Sequence, residues 1–275
     1  MPVAFRMPKL ERPTDKWFGV TKMPEPQCDD PPRIVLGRQL HAKLRDALML
    51  GELRPGDRLT FRDVAARMST SVTPVREALL QLVAEGVLHA EPGRTITVPR
   101  LTRAKFAELR DIRLMLEPEA AERAARRRPP GLVAAMYRLY GELLSCREAG
   151  DIPGCMRAHR DLHFTLYEAA GMPTLVDLIS TVWVGTSPYV VFLYMDPESG
   201  LLEPPYIGRG RKVDEHLKMI EALRADDPAA VRAAVMRDIP LGEEIIFKYL
   251  LPDEEAQPPA KPPSNRPSGA AVLAQ

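Results

Sequence analysis

Two groups of residues have types and spacings suited to chemistry. The first is a run of short polar side chains and an arginine, Ser69, Thr70, Ser71, Thr73 and Arg76. A helix beginning near Thr73-Pro74 would carry them at its N-terminal end, since a proline in the first turn forfeits no helical hydrogen bond. Unpaired N–H groups and the positive end of the helix dipole attract phosphate there, and short polar side chains come close to base edges. Arg76 has the fork geometry for a bidentate contact with guanine. Arg62 in the preceding helix and Arg94 at a hairpin tip are placed for backbone phosphates or the minor groove. The second group is His159 and His163, four residues apart and therefore on one helix face, close enough to chelate one ion. The same spacing occurs in zinc hydrolases, where a glutamate directly after the first histidine is the general base. Arg160 stands there, and an arginine cannot take a proton from metal-bound water. A metal-dependent hydrolase is the alternative function. The stretch His159-Arg160-Asp161-Leu162 also spells the start of a kinase catalytic loop, but Leu166 occupies the place of its metal-binding asparagine.

The elements that must position the first group are short. Leu36, Leu40, Leu44 and Leu48 recur every four residues before Gly51, which predicts a helix with a glycine cap. Pro55-Gly56-Asp57 is a turn. Thr60 caps a second helix with Asp63 three residues on, and Val64, Ala65 and Met68 face inward. The third helix carries Val75, Leu79, Leu82 and Val83 on one face. Val87–Ala90 and Thr95–Val98 are β-prone runs joined by Glu91-Pro92-Gly93-Arg94, a hairpin signal. Three helices and a small β-hairpin make a winged helix-turn-helix.

The chain has 275 residues, 45% of them hydrophobic and 27% charged, which is ordinary for a folded soluble protein. Its 38 Lys+Arg and 37 Asp+Glu nearly cancel, which excludes a uniformly basic coat but not a basic face. Residues 33–100 supply such a face, with 11 Lys+Arg against seven Asp+Glu. The three cysteines form no CxxC pair, as expected of a reducing cytoplasm. No run of about 18 apolar residues suggests a membrane span, and the charged N-terminus is unlike a signal peptide. Seven prolines in residues 1–32 and six in residues 252–275 mark the two ends as flexible tails, the latter Pro-rich and disordered. The expected organisation is a tail over 1–32, a DNA-binding domain over 33–100, a helical domain over 101–251 and a tail over 252–275.

The stretch from Gly51 to Leu88 carries a denser signal. Gly51, Leu53, Pro55, Gly56, Leu59, Ala65, Ser71, Pro74, Val75, Arg76, Glu77, Ala78, Leu79, Leu82, Glu85 and Gly86 resemble the DNA-binding domain of the GntR family of bacterial transcription regulators. One departure is Val72, where the family usually has arginine, so the operator is expected to differ. Residues 109–125, 159–175 and 214–239 resemble the FadR-like subfamily, whose second half is an all-α, ligand-sensing FCD domain. The fold implied is mainly α, a winged helix-turn-helix followed by an FCD-type helical bundle.

The resemblance also implies a metal. Many members of this subfamily hold a divalent ion with Asp-x-x-x-His, a Glu-His histidine and a histidine 22 residues later. Here the matching positions are His159, His163, His216 and Asp238, with the first and last ligand types exchanged. The set remains three imidazoles and one carboxylate, which suits Zn²⁺, Ni²⁺, Co²⁺ or Mn²⁺. Arg113 stands at the family's arginine on the first helix of this domain. It is expected either to bind a small carboxylate effector or to pair with a buried acid such as Asp238. The function implied is a cytoplasmic homodimeric regulator of a palindromic double-stranded DNA operator, with no membrane partner.

Overall fold

The computed structural model of the chain describes residues 32–91, 95–194, 214–247 and 250. Residues 1–31 and 252–275 of the expected tails and Arg94 lie outside the described residues, and Pro32, placed in the N-terminal tail, begins a helix instead. The element order is α1 (Pro32–Met49), β1 (Arg58–Thr60), α2 (Phe61–Arg67), α3 (Val72–Ala84), β2 (His89–Glu91) and β3 (Thr95–Thr97). There follow α4 (Arg103–Arg127), α5 (Leu132–Ala149), α6 (Ile152–Glu168), α7 (Pro173–Val190), α8 (Glu215–Arg224), α9 (Pro228–Asp238) and α10 (Glu243–Ile246).

The first half folds as its apolar spacing requires. Leu40, Leu44 and Leu48 of α1 are buried against Val75, Leu79 and Leu82 of α3, with Val64, Ile96 and Val98 closing the core. The Thr60 hydroxyl accepts from the Asp63 N–H at 3.1 Å and donates to its carboxylate at 2.7 Å, tying down the start of α2. The turn before it holds more structure than a turn. Arg58–Thr60 pairs antiparallel with β3, Leu59 opposite Ile96, so the wing is a three-stranded sheet in the order β1-β3-β2 rather than a two-stranded hairpin. Gly56 bends the chain into that strand at φ +87°, and a side chain there would strike the Arg100 guanidinium 2.7 Å from its Cβ position.

The second half is entirely helical among the described residues. Thr102 caps α4, its hydroxyl accepting from the Lys105 N–H at 3.2 Å. The small side chains Ala120, Ala121, Ala124 and Ala125 on α4 sit in the core that α4 shares with α6, α7 and α9. The segment Pro173–Leu193 is apolar and long enough to cross a membrane by composition, which amends the expectation from sequence. Its Ile179, Trp183, Val184 and Tyr189 are buried within this fold. α7 also packs on α1, and Tyr189 accepts a 2.7 Å hydrogen bond from the Leu101 N–H in the linker, which fastens the winged helix to the helical domain.

Candidate metal centre and nucleic-acid interface

α3 starts one residue earlier than expected, at Val72, with Ser71 in the capping position. The Ser71 hydroxyl makes no capping bond to the first-turn N–H groups of α3. Ser71, Thr73 and Arg76 are exposed on the end of α3, and Arg62 is exposed on α2. Val72, where the family's arginine is usual, is exposed on the same end at 41%. Exposed hydroxyls and guanidinium forks are the side-chain types used in reading a major groove.

The second site lies inside the helical domain. His159 and His163 project from the same face of α6, and His216 from the first turn of α8, with ligand atoms of all three within 4.8 Å of one another. Asp238, the last residue of α9, brings its carboxylate 3.4 Å from His163 Nε2 and 3.6 Å from His216 Nε2. The three histidines therefore cluster, and Asp238 stands beside two of them, the four residues being carried by three helices. His163 is 1% exposed, and His159, His216, Asp238 and Arg113 line a cavity of about 110 Å³. That volume has room for several waters or a small molecule. Phe106, Val190, Leu193 and Ile246 supply apolar walls.

Burial sets the protonation of the cluster. It holds His159 and His163 well below the ordinary 6.5, with neighbouring His216 or His159 and the Arg113 charge pushing the same way. Burial alone would lower His216 too, but the Asp238 carboxylate, with help from Asp214, outweighs it and raises that pKa. Burial likewise raises Asp238, against the pull of His216 and Arg113. Asp214 caps α8. Burial would raise its pKa, but hydrogen bonds from His216 and the Tyr140 hydroxyl prevail and hold it down to about 2.

His159 and His163 are depressed, so the unfolded chain gains protons on them below pH 6.5 while the native state resists. His216 and Asp238 are raised, and burial raises Glu52 to about 7, so these three work in the opposite sense.

A donor set of two neutral imidazoles, a third imidazole and a carboxylate fits a borderline divalent transition ion. The 3.1 Å approach of His163 Nε2 to His216 Nε2 also needs a proton or a cation between the two nitrogens. No general base accompanies the histidines in the position a hydrolase would use. Arg160 points instead toward α1, pairing with Asp46 at 3.3 Å and with Asp161 at 2.8 Å.

Arg113 needs a correction. Its buried acid partner is Glu117, one turn along α4, and not Asp238. Arg113 Nε donates to Glu117 Oε1 at 2.5 Å and Nη2 to Oε2 at 3.3 Å, and the guanidinium lies 4.8 Å over the Trp183 ring. Glu117, Tyr167 and Trp183 had not been singled out in the sequence. Trp183 Nε1 donates to Glu117 at 2.8 Å and the Tyr167 hydroxyl at 2.6 Å, and His159 stacks on Trp183. The (i, i+4) spacing of Arg113 and Glu117 was a visible signal for their pairing.

Comparison with known proteins agrees with this architecture. Residues 36–98 match the bacterial regulatory proteins of the gntR family, and residues 108–239 match the FCD domain. The HTH-type transcriptional regulator McbR of Escherichia coli K12 is 32% identical over 161 residues, covering 58% of this chain and 73% of McbR. The gluconate operon transcriptional repressor of Bacillus subtilis is 25% identical over 193 residues, 70% of this chain and 77% of the repressor. The solved structure of E. coli McbR/YncC superposes with a TM-score of 0.69 at 28% identity, covering 78% of this chain and 97% of that one. These relatives are transcription regulators, a non-enzymatic class, and this chain belongs with them to the GntR family, with an FCD domain as its helical half.

Proposed function

We propose that this transcription regulator senses a small organic acid in its helical domain with the help of a bound divalent ion, and acts as a cytoplasmic homodimer on a palindromic operator. The observation that carries the reading is the cluster of His159, His163 and His216, with Asp238 beside the last two, at a cavity that His159, His216, Asp238 and Arg113 line. These four residues would hold Zn²⁺, Ni²⁺, Co²⁺ or Mn²⁺, and such an ion supplies a positive centre for a carboxylate. Arg113 supplies a second cationic group at the same cavity and is the proposed effector-binding residue.

A route to the DNA-reading end supports regulation. α6 carries His159 and His163 toward the cavity and Arg160 toward Asp46 on α1. α7 carries Trp183 against His159 and, one turn earlier, Ser180, which accepts from Arg45 of α1 at 3.0 Å. Arg45 and His41 both bind Glu85, the C-cap of α3, at 2.9 and 2.8 Å. A shift of α6 or α7 therefore reaches the reading helix through paired side chains rather than through solvent.

Arg62, Ser71, Thr73, Arg76 and Arg94 are the proposed DNA contacts. Two heads related by a two-fold axis read two identical half-sites, which is the ground for a palindrome. Arg76→Ala is expected to weaken operator binding by about 1–3 kcal/mol and to relax preference at one base pair. Gel shifts at fixed salt check it, and unchanged affinity removes Arg76 from the readout. For the sensing half, the test is a thermal-shift screen of organic acids with and without Zn²⁺. An acid that stabilises the wild type but not Arg113→Lys, and more strongly with Zn²⁺ present, supports the assignment. Equal stabilisation of both proteins excludes Arg113.

A further inference from the structure

We propose that Glu117 and Tyr167 form a buried positioning relay that fixes which nitrogen of His163 carries the proton, and thereby presents a bare Nε2 to the ion. The inference rests on the metal reading above. It follows from counting protons along three hydrogen bonds.

Glu117 is fully buried and takes bonds from three side chains. Arg113 and Trp183 can only donate, so both Glu117 oxygens are acceptors. The Tyr167 hydroxyl lies 2.6 Å from Glu117 Oε2 and has one proton, which goes to that carboxylate. Its oxygen can then offer only a lone pair to His163 Nδ1, 3.1 Å away on the same helix. Nδ1 must therefore bear the ring proton. In a neutral imidazole that leaves Nε2 without one, and Nε2 is the atom that faces His216 and Asp238. Without the relay, the two tautomers of His163 would compete, and the Nε2–H form would have no lone pair on the side of the other donors. A partner that holds the far ring nitrogen typically changes metal affinity by about 10–100-fold.

The relay's anion is also the anion that holds Arg113. One buried carboxylate thus serves both the proposed effector arginine and the proposed metal-binding histidine. Tyr167 and Glu117 touch neither the ion's place nor the cavity opening. They act through His163 and are positioning residues.

Two readouts test this. The first needs no metal: long-range ¹H–¹⁵N correlation spectra of histidine-labelled, metal-free protein at pH 7.5 report the tautomer of each ring. His163 is expected as the Nδ1–H form in the wild type and as a mixture in Tyr167→Phe. The second is Zn²⁺ affinity by competition with a chelating dye. Tyr167→Phe is expected to bind about 10–100-fold more weakly, with an unchanged Co²⁺ absorption spectrum because all four donors remain. Glu117→Gln should weaken binding in the same direction and stands in if Tyr167→Phe does not fold. An Nε2–H form of His163 in the wild type, or wild-type Zn²⁺ affinity in both variants, would overturn the relay. A wild type that takes up no Zn²⁺ at all overturns the metal reading instead, and the tautomer spectra then decide by themselves whether the relay sets His163.

Discussion

Glu117→Ala is expected to lower the unfolding free energy by about 3–5 kcal/mol, the usual cost of removing one partner of a buried ion pair. The Arg113 side chain is 11% exposed and Glu117 is 0% exposed, so water cannot replace the lost carboxylate. Two further donors, the Tyr167 hydroxyl and the Trp183 indole N–H, lose their acceptor in the same step. Urea denaturation of metal-free protein at pH 7.5 measures the loss. The matched control is Glu119→Ala, two residues along the same helix. Glu119 pairs with Arg123 and Arg232 at a side-chain exposure of 42%, where ion pairs contribute about 0–1 kcal/mol. Equal costs at the two positions would mean that Glu117 is not the buried anchor its hydrogen bonds describe.

The second large effect concerns His163. A ligand bound only by the native state stabilises it by about 2.7 kcal/mol at 100 times its Kd, and this increment should vanish in His163→Ala. That substitution removes a proposed ligand that is 1% exposed and faces both His216 and Asp238. The exchange of ligand types makes a finer comparison. His159→Asp with Asp238→His restores the order usual in the subfamily and keeps three imidazoles and one carboxylate. It should retain Zn²⁺-dependent stabilisation, whereas His159→Asp alone leaves two imidazoles and two carboxylates and should bind more weakly. Thermal unfolding with graded Zn²⁺ separates the cases. Loss of binding in the double variant, with the single variant unaffected, would contradict equivalence of the two arrangements.

The winged helix was legible because its signals are local. Leucines every four residues, the Thr60–Asp63 cap and Pro74 each act within one or two turns of chain. β1 was read only as part of a turn because three residues carry no periodicity. What makes Arg58–Thr60 a strand is its pairing with Thr95–Thr97, far along the chain. His159, His163, His216 and Asp238 were expected from the family's spacing, and the helices bring the three histidines within 4.8 Å of one another with Asp238 beside His163 and His216. Glu117 escaped notice because α4 is rich in Glu, Arg and Ala. Nothing in that composition marks which acid turns inward. Its burial is decided by Tyr167 on α6 and Trp183 on α7, whose positions depend on packing. The same packing assigned Arg113 to Glu117 rather than to Asp238.

The three imidazoles and the Asp238 carboxylate are proposed to form one binding site for a divalent ion. Equilibrium dialysis of chelator-stripped wild-type protein against Zn²⁺, Ni²⁺, Co²⁺ or Mn²⁺ at pH 7.5, followed by elemental analysis, tests it most directly. About one ion per chain for at least one of these metals, reduced to background in His163→Ala, is the result expected. No retained metal from any of the four, or equal retention by the variant, would contradict it.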